Sequence, residues 1–149
     1  VRVHAPVPGR VLELADVPDQ VFAAAIVGPG LAIDPGPDAE AVTAVAPVAG
    51  RVVKLHPHAF VIVAGSGQGV LVHLGIDTVE LAGDGFTVHA AEGEEVTTGA
   101  PMITFDPVAV AQGGRSPVCP VIALDGGAEQ VHRLAPAVVA AADPLFDWT

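Results

Sequence analysis

Apolar residues along this chain fall in short runs of Val, Ile, Leu and Ala, cut by turn formers such as Pro8-Gly9, Gly28-Pro29-Gly30, Gly83-Asp84-Gly85 and Gly113-Gly114. Runs of that length, bounded in that way, predict strands joined by tight connections. Helical periodicity is thin. Residues 17–22 suit a single turn, residues 107–112 another, and residues 131–142 a weak third that Pro136 interrupts. The expected fold is all-β: an antiparallel sandwich or flattened barrel of two cooperating sheets, with only short helical turns.

One phrase occurs twice. Ala5-Pro6-Val7-Pro8-Gly9-Arg10-Val11 returns 41 residues later as Ala46-Pro47-Val48-Ala49-Gly50-Arg51-Val52, with only the fourth residue changed. Self-similarity of that length predicts a duplicated β-hairpin motif.

The stretch from His56 to Glu80, HPHAFVIVAGSGQGVLVHLGIDTVE, holds two apolar runs around a Gly-Ser-Gly-Gln-Gly turn, which is a hairpin signal. Its register decides whether two histidines meet. A loop of even length, Ser66-Gly67 alone or residues 65–68, sets Phe60 opposite His73 and His58 opposite Gly75. His58 and His73 then share a face as diagonal neighbours about 7 Å apart at the backbone. A loop of odd length puts them on opposite faces. Along the second run Val70, Val72, Leu74 and Ile76 form the alternate apolar set, which leaves His73 presented on the other face with Leu71 and Gly75.

Composition narrows the class. At 149 residues and 51% hydrophobic, the chain suits one domain, residues 1–149, with a core large enough to fold without covalent staples. Seventeen acidic residues against six basic ones, with Lys54 the only lysine, exclude backbone-tracking nucleic-acid binding and anionic-membrane binding, since both need clustered cations. A partner with a basic contact face fits better. A single cysteine, Cys119, forms no intrachain disulfide and reads as a small buried residue. With no leader pattern and no spanning run of about 20 apolar residues, the expected location is the cytoplasm.

Two imidazoles at contact distance suit phosphoryl transfer. A neutral ring nitrogen is a competent nucleophile near neutral pH, and its neighbour can donate to phosphate oxygens, so no metal, nucleotide or other cofactor is required. Each ring must be held in one tautomer through its other nitrogen, and the Gly75-Ile76-Asp77-Thr78 turn offers carbonyl and side-chain partners for this. His4, His89 and His132 read as surface or structural residues.

The string Val72-His73-Leu74-Gly75-Ile76-Asp77-Thr78-Val79-Glu80-Leu81, followed by Gly83-Asp84-Gly85-Phe86, resembles the phosphorylation-site signature of glucose-class IIA domains of the bacterial phosphotransferase system. Other pieces match in order: Ala5-Pro6-Val7 with Gly9, Val17-Pro18-Asp19 with Val21-Phe22-Ala23, Ala46-Pro47-Val48 with Gly50, and His58-Ala59-Phe60. The resemblance implies that His73 takes phosphate from the histidine-containing carrier HPr and passes it to the IIB domain of a sugar permease, meeting the membrane only through that IIB/IIC permease. It implies that His58 stabilises the transferred group, with Asp77, Thr78, Gly75 and His56 supporting the phosphate and its loop. It also implies an apolar docking disc, to which Phe22, Phe60, Leu71 and Leu74 are the expected contributors. One departure stands out: Lys54-Leu55-His56-Pro57 is shorter than the loop in many relatives, and His56 takes a place where a threonine is common.

The rival reading is a zinc hydrolase. His56-Pro57-His58 is an H-x-H, and His73 with Asp77 makes an H-x-x-x-D, spacings that zinc peptidases of a similar duplicated β-motif use in the opposite order. Zinc held by His58 and His73 without catalysis is a lesser version, since two imidazoles leave two positions of a tetrahedral site open. A biotin- or lipoyl-type carrier needs a lysine on a tight turn, and the flanks of Lys54, Val53 and Leu55, do not make one.

Overall fold

The computed structural model describes residues 1–36 and 40–149, and the described residues form fourteen strands and two short helices. Along the chain come β1 (Arg2–His4), β2 (Gly9–Glu13), α1 (Gln20–Ala23), β3 (Gly30–Asp34), β4 (Val42–Val45), β5 (Gly50–His56), β6 (Ala59–Val63) and β7 (Gly69–His73). They are followed by β8 (Phe86–Val88), β9 (Glu95–Val96), β10 (Pro101–Phe105), α2 (Pro107–Gln112), β11 (Cys119–Ala123), β12 (Val131–Arg133), β13 (Val138–Val139) and β14 (Pro144–Trp148). All pairings are antiparallel.

Eight strands form one sheet in the order β13-β2-β3-β11-β7-β6-β5-β9, and two smaller sheets run β1-β14-β12 and β4-β10-β8. The sheets do not close, so the fold is a sandwich and not a barrel. Alternation explains the layers. Leu31, Ile33, Phe60, Ile62, Val70, Val72 and Val121 point from the inner face of the large sheet into one core, where Val3, Ala44, Met102, Ile103, Phe105, Leu145 and Phe146 of the small sheets meet them. On the outer face a second cluster forms, in which Leu14, Val17 and Phe22 cover Ala32 and Ile122.

The duplicated phrase marks a duplicated half. The large sheet reads the same from either end when β13, β2, β3 and β11 are matched with β9, β5, β6 and β7. Hydrogen bonds repeat the correspondence: His4 N–H donates to the Pro47 carbonyl (2.9 Å) and Val45 N–H to that of Pro6 (2.8 Å). Gly9 and Gly50 sit where an added Cβ would lie 2.2 Å from the Asp34 carbonyl oxygen and 2.1 Å from that of Val63, so both copies need the same missing side chain for the same close approach. The second half, β4–β10, lies within the first, which is made of β1–β3 and β11–β14. The halves also differ in one connection. Between β2 and β3 the chain winds through a 3-10 turn (Leu14–Asp16) and α1, whereas between β5 and β6 only Pro57 and His58 intervene.

Residues 107–112 do form a helix, started by Asp106, whose carboxylate accepts from Ala109 N–H, and by Pro107 at the first turn. Residues 131–142 do not. They carry β12 and β13, which pair with β14 and β2, so tertiary pairing overrides a weak helical pattern that Pro136 already breaks. Among the described residues no helix is long and apolar enough to cross a membrane.

Candidate functional site

The site lies on the outer face of the large sheet, at the end of the β6–β7 hairpin. In that hairpin Ala59 pairs with His73 and Phe60 with Val72. Ala64 N–H bonds to the Gln68 carbonyl across the tip (2.9 Å), so the loop is odd and the even register with Phe60 opposite His73 does not form. The backbone partner of His58 is Leu74, whose N–H donates to the His58 carbonyl at 2.7 Å, and not Gly75. Yet the two histidines meet. The pairing of His56 with Ala59 makes His58 part of the tight turn and no longer part of a strand, so alternation no longer dictates the face its side chain takes.

A row crosses three strands here: His56 on β5, Ala59 on β6 and His73 on β7. Alanine is small enough to leave room between its neighbours, and the His58 ring occupies that room. Its centroid lies 5.2 Å from the His73 ring, edge-on at 69°, and 5.7 Å from the His56 ring, nearly parallel at 23°. On the other side of His73 the ring of Phe22 packs at 5.3 Å. Asp19 holds Phe22 in place by capping α1, accepting from Val21 N–H at 2.9 Å and Phe22 N–H at 3.3 Å.

The loop after β7 fixes the His73 ring. Gly75, at φ +79°, turns its carbonyl back so that His73 Nδ1–H donates to it at 2.6 Å. A carbonyl only accepts, so the proton sits on Nδ1 and Nε2 keeps its lone pair. Asp77 and Ala82 hold left-handed conformations at either end of a 3-10 turn (Thr78–Leu81). Thr78 is buried, and its hydroxyl donates to the Leu74 carbonyl at 2.7 Å. Ser116 closes the loop from beneath by accepting from Ile76 N–H at 2.9 Å, which draws Ile76 into the outer cluster and ends the alternation expected to continue through it. Cys119 lies buried under this loop with its thiol pushed up to about 12 by burial, which makes it an inert packing residue.

Burial draws the imidazoles of His58 and His73 below their ordinary value. For His73 the Gly75 hydrogen bond and the charges of Asp19 and Asp77 oppose that trend. For His58 the neighbouring His73 and His56 add to it. Both rings are therefore neutral at neutral pH, the form in which Nε2 of His73 is a nucleophile.

Of the expected surface residues, Leu71 shares the His73 face of β7 and is partly buried, Phe22 packs on His73 but is itself buried (9% exposed) in the outer cluster, and Phe60 and Leu74 are 1% and 0% exposed in the main core. Phe60 points inward because it pairs with Val72 and not with His73. Among the exposed apolar side chains are Val21 (47%) in α1, Ile26 (71%) just after it and Val79 (60%) two residues past Asp77, on the segments that carry Phe22 and Asp77. Neither Asp19 nor the place of His56 in the row was anticipated. The signals were a capping aspartate ahead of Val21-Phe22 and a two-residue turn implied by His56-Pro57-His58-Ala59.

Residues 1–128 match the family described as phosphoenolpyruvate-dependent sugar phosphotransferase system, EIIA 1. The chain belongs to that family. Its fold is also similar to the glucose permease IIA from Mycoplasma capricolum, at 33% identity and a TM-score of 0.88, over 98% of this chain and 94% of that one. This EIIA chain thus has a phosphoryl-relay role in sugar uptake. For the hydrolase alternative built on His56, His58, His73 and Asp77 there is no support: among the described residues no group of three or more His, Cys, Asp or Glu side chains is placed to hold a metal ion.

A groove of about 580 Å³ lies elsewhere, on the β4-β10-β8 sheet, lined by Thr43, His89, Glu94 and Thr104 among others.

Proposed function

We propose that His73 is the phosphorylated residue, that its donor is phospho-HPr and that its acceptor is the IIB domain of a sugar permease. The observation that carries this reading is the single tautomer of His73: Nδ1–H tied to the Gly75 carbonyl at 2.6 Å, with Nε2 left free beside His58. Nε2 attacks the phosphorus of the donor phosphohistidine. The N–P bond of the donor breaks and its electron pair returns to the donor ring. His58, edge-on to His73, donates from a ring nitrogen to a phosphoryl oxygen and stabilises the charge that develops there. No metal or cofactor enters the step. Val21, Ile26 and Val79 form a modest apolar rim, fitting partners that must dock weakly and leave quickly. Asp19 and Asp77 lie close enough to act on His73 and give the site an acidic border suited to a basic partner face, while Glu80 is paired with Arg115 at 3.4 Å.

Mass spectrometry after incubation with phosphoenolpyruvate, enzyme I and HPr tests the relay. Wild-type protein gains one acid-labile phosphate that maps to His73. His73→Gln gains none, because the covalent intermediate has nowhere to form. His58→Gln still accepts phosphate but passes it on slowly or not at all, since the onward step leans on this side and a neutral amide, though it keeps an N–H donor, cannot carry the positive charge of a protonated imidazole. Label located on His58, or taken up by His73→Gln, would overturn the assignment.

A further inference from the structure

The row His56-Ala59-His73 places a third imidazole at a site whose chemistry needs two. His56 is exposed, His58 half-buried, and the two rings lie nearly parallel with centroids 5.7 Å apart. No hydrogen bond links them, so they act on each other through space. A charge on one ring disfavours a charge on the other, and a neutral ring offers its face to a charged one.

Resting on the relay reading, we propose that His56 is a positioning residue that acts through His58, setting when His58 carries the proton it presents to the phosphoryl group on His73. Charged and titratable groups reach this cluster from several elements, among them Glu92, whose carboxylate accepts from Leu55 N–H next to His56 at 3.0 Å. From β7 comes His73, from the loop after β7 Asp77, and from the segment ahead of α1 Asp19, the two carboxylates acting on His73. His56 is the like charge that acts on His58 from β5. Before phosphate arrives, burial holds His58 neutral, and any charge on His56 opposes a second charge beside it. Once the phosphoryl dianion is on His73, its attraction outweighs one neighbouring cation, and His58 takes a proton from water. The N–P bond made and the N–P bond broken are those of the transfer itself. The proton comes from solvent and stays on the ring.

The test is an NMR titration of the His58 ring in wild type, His56→Gln and His56→Lys, with the pH profile of phosphoryl transfer measured in parallel. His56→Gln removes the charge, so the ratio of protonated to neutral His58 at pH 6 rises by about threefold, the effect of one unit charge about 6 Å away in water. His56→Lys keeps a charge without the ring, and His58 then stays as in wild type. The transfer profile of His56→Gln moves to higher pH with that of His58. A His58 titration unchanged by His56→Gln, or moved equally by Gln and Lys, overturns the proposal. Failure of wild-type His73 to take phosphate would instead overturn the relay reading, and the titration still reports the His56–His58 coupling.

Discussion

Gly75 shows how much one residue decides at this site. Its positive φ aims the carbonyl that fixes the His73 tautomer, and a Cβ added there would lie 2.7 Å from Thr78 Cγ2 and 3.1 Å from the Ser116 carbonyl oxygen. Gly75→Ala is therefore expected to cost about 1–3 kcal/mol in urea unfolding. It should also loosen the Nδ1–H hydrogen bond, visible as mixed tautomers in ¹⁵N spectra of His73. Unchanged stability with a single tautomer would show that the loop tolerates the side chain. The two imidazoles also set a pH dependence. Their folded values lie below the ordinary 6.5. As pH falls through that value the unfolded chain takes up protons before the folded one does, and folding weakens. Stability should hold above about pH 7 and decline below about 6.5. His73→Gln should flatten that decline between about pH 5.5 and 7, a window above most carboxylate titration. An equally steep decline in the variant would place its cause elsewhere.

At the scale of elements, Ala59 is the hinge of the geometry, because a larger residue would fill the room that the His58 ring takes between its neighbours. Ala59→Leu should cost about 1–3 kcal/mol as overpacking and push His58 from His73. It should then mimic His58→Gln, with phosphate accepted on His73 and onward transfer slowed. Normal onward transfer would mean that His58 reaches its place by another route. The same hairpin shows what was legible beforehand. The two runs, the inward set Val70, Val72 and Leu74, and the outward His73 follow from period-two alternation. The register did not, because a Gly-Ser-Gly-Gln-Gly tip accepts odd and even loops alike and local residues do not choose between them. The meeting of the histidines survived that error only because His58 sits in a turn, where alternation has no hold. Phe60 and Leu74 lie in the core because the odd register pairs Phe60 with Val72 and alternation carries Leu74 inward after Val70 and Val72. Asp106-Pro107 started the helix it promised, since cap and proline act locally, while residues 131–142 were decided by strands distant in sequence.

For the whole molecule, the duplication makes a paired prediction. Gly9→Ala and Gly50→Ala should each cost at least about 2 kcal/mol, because each added methyl meets a backbone carbonyl that has no flexible way out. Gly65→Ala, with nothing within 4 Å, serves as the near-neutral control. Unequal costs for the pair would show that the halves are alike in outline and not in packing. The nested arrangement of those halves also bears on how the chain folds. The hairpin β6–β7 closes over a short tip, whereas β3 and β11 pair only after everything from β4 to α2 has been looped out between them. Closing a long loop costs more chain entropy than closing a short one, so the contiguous half is expected to nucleate and the divided half to clasp it afterwards. His56, His58 and His73 all belong to the half that forms first. Their row is thus assembled early, while Phe22, carried by the late half, reaches His73 only as the clasp shuts. Destabilising changes in β6 or β7 should slow refolding, and changes in β3 or β11 should mainly hasten unfolding.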